Sequence, residues 1–133
     1  MITIRTTVFA VKQKVWDYYT QPEHITKWNF ADPSWHCPTA TNEMTIGGQY
    51  VARMEAKDGS FGFDFKAIYT KINEGDNFTY EFGGRYATID FKENNGQTDV
   101  TIKFDPETEN SIELQINGWQ SILDNFKKYT ETN

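Results

Sequence analysis

Asn110 to Thr130 reads N-S-I-E-L-Q-I-N-G-W-Q-S-I-L-D-N-F-K-K-Y-T, and this stretch decides the fold. Ile112, Ile116, Trp119, Leu123 and Phe126 recur at spacings of four, three, four and three, which places them on one stripe of an amphipathic α-helix. Asn110 followed by Glu113 has capping-box spacing and is expected to start that helix. Everything from Gln49 to Phe104 instead alternates as strands do. A sheet with one apolar face needs a cover, and this helix is the only element long enough to provide it. If the sheet is curved, helix and sheet enclose a cavity.

Working outward, Tyr50, Ala52 and Met54 share one strand face, with Arg53 and Glu55 on the other. Phe61, Phe63, Phe65, Ala67 and Tyr69 form the next set, followed by Phe78, Tyr80 and Phe82. Ala87, Ile89 and Phe91 come next, then Val100, Ile102 and Phe104. Asp58-Gly59, Gly83-Gly84 and Asn94-Asn95-Gly96 are turn signals between these sets. Such regular turns predict an antiparallel meander rather than crossover units. Upstream, Ile2, Ile4, Thr6 and Val8 alternate as a first strand. Lys12 to Thr20 reads as a short helix with Val15, Trp16, Tyr18 and Tyr19 on its apolar side. Pro22 suits the first position of a second short helix, on which Ile25 and Trp28 face the same way. Asn29 to Cys37, with Asp32-Pro33 and Cys37-Pro38, reads as a loop that carries Phe30 and Trp35. The expected fold class is α+β: a curved antiparallel β-sheet wrapped around a long C-terminal α-helix, with two short helices after the first strand. Residues 1–133 are expected to form a single domain.

The charge balance narrows the function. Thirteen basic residues face nineteen acidic ones, and no basic stripe is present, so nucleic acid is not an expected partner. No run is long and apolar enough for an integral membrane segment. The amino-terminal M-I-T-I-R-T-T lacks the pattern of a signal peptide. The one cysteine, Cys37, fits a reducing compartment, and the expected localisation is cytoplasmic. Aromatic residues make up 16% of the chain. Rings of that size must line a core, a cavity or an interface.

Candidate chemistry is sparse. His36 and Cys37 are adjacent, but strand neighbours point to opposite sides, and zinc needs three or four spaced ligands. No phosphate loop, dinucleotide fingerprint or nucleophile elbow occurs. The expectation is therefore no enzyme, no catalytic residue, no metal and no cofactor. His24 is expected to be solvated on its helix. Arg85, just after Gly83-Gly84, could reach into a cavity mouth, but a solvated turn arginine is the expected reading. Arg53 and Asp64 are expected to face outward as a cross-strand pair. Gly118 is out of place mid-helix, which implies either close approach by a neighbour or room beside Trp119.

Several segments together resemble a known family. These are Val15-Trp16 with Thr20, Pro22, Glu23, His24, Ile25 and Trp28; Trp35-His36-Cys37-Pro38; Gly47-Gly48; and the run from Met54 to Phe65. Gly118-Trp119-Gln120 and Leu123-Asp124-Asn125-Phe126 complete the set. The chain is similar over its whole length to the family named after the activator of heat-shock-protein-90 ATPase, in the START-like (SRPBCC) superfamily of helix-grip folds. Members often carry a proline just before the first helix, where this chain has Val11. The resemblance implies a sheet face that lines a pocket for apolar ligands. The candidate cavity residues are Trp28, Phe30, Trp35, Tyr50, Met54, Phe63, Phe65, Tyr69, Tyr80, Phe82, Ile89, Trp119 and Phe126. The expected partner is a small hydrophobic or amphipathic molecule. The alternative partner, implied by the family name alone, is a chaperone or another protein.

Overall fold

The alternating stretches become long antiparallel strands in a computed structural model that describes every residue from Met1 to Asn133. The chain opens with β1 (Ile2–Val8), then α1 (Lys12–Thr20) and α2 (Pro22–Trp28). The strands β2 (Trp35–His36), β3 (Ala40–Asn42), β4 (Gln49–Ala56), β5 (Gly62–Asn73), β6 (Asn77–Phe82), β7 (Arg85–Asn94) and β8 (Gln97–Phe104) follow, and α3 (Ile112–Thr132) closes the chain. The sheet order is β1-β8-β7-β6-β5-β4-β2, with β3 also paired to β4, and every pairing is antiparallel. The sheet curls into a half-barrel around α3, the helix-grip arrangement.

Side-chain alternation follows from the pleat. Ile4, Val8, Ala52, Tyr80, Ala87, Ile89, Phe91, Val100, Ile102 and Phe104 all point to the concave face and are buried. Two-residue turns with positive φ join the central strands: Gly83 and Gly84 between β6 and β7, and Asn95 and Gly96 between β7 and β8. This handedness matches strand twist and favours glycine or asparagine.

α3 covers one flank of the concave face rather than its middle. It lies closest to β1, where Gln120 Nε2 donates to the Arg5 carbonyl at 3.2 Å and Lys127 Nζ to the Thr7 carbonyl. Trp119 stacks flat on Phe104, with ring centroids 4.0 Å apart and an interplanar angle of 5°. About two helical turns further on, Phe126 is wedged edge-on against Tyr19 and Trp28, at 4.9 and 5.0 Å. Asn125 Nδ2 donates to the Trp28 carbonyl at 2.8 Å, which ties α3 to α2.

Four local expectations are corrected. The Asn29–Cys37 loop contains β2, because Trp35 and His36 pair with Ala56 and Glu55 at the end of β4. The helix cap is Ser111, whose hydroxyl accepts from the Leu114 amide at 3.1 Å, and not Asn110. Ile112 is half-exposed, because no strand lies against the first turn. There the buried side chain is Gln115, which holds the preceding loop through Glu107 N at 2.8 Å and Asn110 O at 2.9 Å. Phe61 and Phe63 are also exposed, since they lie at the β4–β5 hairpin beyond the reach of α3.

Gly118 is neither in close contact nor strained. A Cβ placed there meets nothing within 4 Å. Gly118→Ala is therefore expected to stabilise the protein by about 0.5–1 kcal/mol. Urea unfolding should show a higher midpoint with an unchanged slope. A lower midpoint would mean that some contact uses this open position.

Candidate ligand pocket

Because α3 covers one flank, the concave face is left open over β4, β5 and β6. A pocket of about 290 Å³ occupies that space. α3 contributes Trp119, Ile122 and Leu123; β4 contributes Tyr50 and Met54; β5 contributes Phe63, Phe65 and Tyr69. Phe78 and Tyr80 come from β6, Arg85 from β7 and Ile102 from β8. Tyr19 of α1, Trp28 of α2 and Asn29 complete the wall.

The two ends of the pocket differ. The inner end gathers four tyrosine hydroxyls. Burial raises the pKa values of Tyr19, Tyr50 and Tyr69, and the neighbouring Tyr80 adds a smaller rise to each. Burial alone raises Tyr80. All four stay protonated through the neutral and mildly alkaline range and act as neutral hydrogen-bonding groups.

Two asparagines set their polarity. Asn42 Nδ2 donates to the Thr20 carbonyl at 2.7 Å, so its Oδ1 is the atom that faces Tyr69 and accepts from that hydroxyl at 2.6 Å. Asn29 Nδ2 donates to the Tyr50 hydroxyl at 3.1 Å, leaving the Tyr50 proton free. The hydroxyls of Tyr19 and Tyr80 have no protein partner. Neither is sealed off, since the one sealed and unpartnered side-chain oxygen is that of Thr130. The inner end therefore offers free O–H donors inside an otherwise apolar wall.

The outer end holds Phe63, Phe65, Trp119 and Arg85. Phe63 is 44% exposed and stands at the rim beside Trp35 and Phe61, with ring centroids about 6 Å apart.

Of the thirteen sequence candidates, Trp28, Tyr50, Met54, Phe63, Phe65, Tyr69, Tyr80 and Trp119 are on the wall. The other five lie off it. Ile89 and Phe126 are fully enclosed in core packing. Phe82 sits beneath Arg85 and beside Trp119. Trp35 is held on β2 against the exposed phenylalanines, and Phe30 lies in the turn after α2, its amide bonded to the Trp28 carbonyl.

Sequence reading missed Tyr19, Asn29, Phe78, Ile102, Ile122 and Leu123 as wall residues, and it ranked a cavity-mouth position for Arg85 below a solvated one. Arg85 carried a usable signal: it is in phase with Ala87, Ile89 and Phe91, and pairs directly with inward-facing Phe82. His24 also differs from expectation. It stacks on Tyr18 at 3.9 Å, and its Nδ1 is 2.8 Å from the Tyr129 hydroxyl.

Outside the pocket little invites chemistry. Cys37 is buried and its thiol is pushed up to about 11 by burial, while His36 lies toward Glu55 at 3.6 Å. A protonated, enclosed thiol is a poor nucleophile. Arg53 does face outward, bonding Glu55 at 2.8 Å and reaching Asp64 at 3.5 Å. Gly62 leaves the room for that guanidinium, since a Cβ there would come within 2.6 Å of it. No helix is long and apolar enough to cross a membrane.

A half-barrel gripping a long helix, with a pocket between them, defines the START-like class of helix-grip proteins. Residues 10–131 match the family described as "Activator of Hsp90 ATPase homolog 1-like protein", and the chain belongs to it. A solution structure of an AHSA1-like protein from Aeromonas hydrophila is 34% identical, with TM-score 0.90 over 98% of this chain and 93% of that one. A solution structure from Cytophaga hutchinsonii is 45% identical, with TM-score 0.85 over 99% and 92%. A Chromobacterium violaceum protein, 21% identical and with TM-score 0.84 over the whole of both chains, shares the fold. A search of curated proteins finds no match.

The tyrosine cluster makes stability sensitive to alkali. The four hydroxyls keep their protons in the fold, whereas the unfolded chain loses them from about pH 10. Their contribution is fully present below that pH and falls as the pH rises above it. The slope is about 1.4 kcal/mol per pH unit for each hydroxyl. Unfolding midpoints in urea should thus drop steeply between about pH 10 and 11. Tyrosinate absorbance from four buried rings appearing before unfolding would contradict the pocket chemistry.

Proposed function

We propose that residues 1–133 act as one non-enzymatic START-like binding unit for a small hydrophobic or amphipathic molecule. The observation that carries this reading is the pocket itself: about 290 Å³, with thirteen apolar or aromatic residues among the fifteen on its wall. At about 30 Å³ per water, that volume corresponds to about ten waters. A guest of comparable size buries its apolar body against rings, and the few polar groups on the wall orient it. No nucleophile and base converge there, which favours binding over turnover.

A second reading is protein contact, as in the chaperone activation that the family description names. The observation favouring it is the exposed Phe61 and Phe63 beside half-buried Trp35, an apolar patch of the kind that marks interaction sites. It ranks second because Phe63 also belongs to the pocket rim.

The test is titration with the neutral fluorophore N-phenyl-1-naphthylamine. Binding is expected in the micromolar range, roughly −8 kcal/mol, with a matching rise in melting temperature. Ile122→Trp, which places a ring in the pocket, should weaken it about ten-fold or more, whereas the helix-surface control Lys128→Ala should not. No saturable binding, together with a dose-dependent rise in chaperone ATP turnover, would replace this reading with the second.

A further inference from the structure

Arg85 is the one charged residue on the pocket wall. In a chain with nineteen acidic and thirteen basic residues, the charge at this apolar site is positive. The Gly83-Gly84 turn and the direct pairing of Phe82 with Arg85 put both side chains on the concave face. The guanidinium lies over the Phe82 ring, 4.6 Å from its centroid, and donates one hydrogen bond to the Asp105 carbonyl at 3.2 Å.

No carboxylate pairs with it within 4.0 Å, and Glu107, near enough for the Arg85 charge to help lower its carboxyl pKa, does not reach it. The acids nearby in sequence are committed elsewhere. Asp105 Oδ2 accepts from the Tyr86 amide at 2.9 Å, and Glu107 accepts from the Asn110 amide at 2.9 Å and from the Glu109 amide. The fork of Arg85 is thus positioned, desolvated on one side by Phe82, and left with donors that the protein does not use.

We propose that Arg85 is an anion-recognition group of this pocket, and that the ligand is a small amphipathic carboxylic acid. Its carboxylate pairs with the guanidinium at the outer end, and its apolar body runs inward past Trp119 and Phe65. A planar fork on a carboxylate is the strongest polar contact this wall can make. This inference rests on reading the pocket as a ligand site and adds the chemical class of the ligand.

Octanoate, with about ten non-hydrogen atoms, suits the volume, and octanamide is its uncharged isostere. In displacement of N-phenyl-1-naphthylamine, octanoate is expected to compete about five-fold better than octanamide. Arg85→Gln should remove that preference, so that the variant binds octanoate no better than octanamide. With the wild-type protein, raising salt from about 20 mM to about 500 mM should weaken octanoate and not octanamide. This second arm decides the matter if the variant does not fold. Equal competition by acid and amide, or an acid preference that persists in Arg85→Gln or ignores salt, would overturn the role of Arg85 and leave the pocket reading standing. Failure of the fluorophore and both octyl compounds to bind would overturn both.

Discussion

The arrangement depends on aromatic contacts that fix α3 at two points on the inside of the half-barrel. Trp119 lies flat on Phe104 near one end, and Phe126 is gripped by Tyr19 and Trp28 toward the other. Ring pairs of this kind add about 0.5–1.5 kcal/mol each beyond their area. Between the two anchors the helix presents only Ile122 and Leu123 to the open side. It is held over β1, so these shorter side chains cannot reach β5 and β6. The pocket is the space left when a straight helix is anchored to one flank of a curved sheet.

The same constraint explains the wall chemistry. Strands β4, β5 and β6 face open space rather than a helix, so the residues pointing inward there need not be aliphatic. Tyrosine serves such a place well, because its ring packs laterally with neighbouring rings while its hydroxyl reaches the space. Tyr50 and Tyr69 each pack on Tyr80 at about 6 Å, and Tyr19 of α1 lines the same pocket. Asn42, fixed by the Thr20 carbonyl, satisfies one of the four and leaves the others for a guest. Burial without full satisfaction is costly to stability, and such sites are where proteins commonly place binding function.

Much of this was legible in the sequence. The helix and the five long strands follow from two periodicities, and the turns from glycine and asparagine pairs. What escaped was set by position along the elements rather than by their type. Ile112 shares the helical stripe but stands over a loop, and Phe61 shares the strand phase but lies past the end of the helix. Alternation reports which side a residue faces, not whether anything lies opposite it. For the site, ring-rich strands pointed to the concave face, yet Ile89 and Phe126 proved to be enclosed core. Arg85 shows the converse error. Its charge suggested solvent, although its phase with Ala87 and Ile89 places it inward.

The central claim is that guests enter between α3 and the tyrosine-lined strands. Nuclear magnetic resonance of protein labelled in tyrosine and tryptophan rings, saturated with a small neutral guest such as octanamide, tests this most directly. The account predicts intermolecular Overhauser contacts from the guest to the rings of Tyr50, Tyr80 and Trp119, with Tyr86 on the outer surface silent. Contacts confined to Trp35, with no effect on the buried tyrosines, would contradict it and place apolar recognition on the outer surface instead.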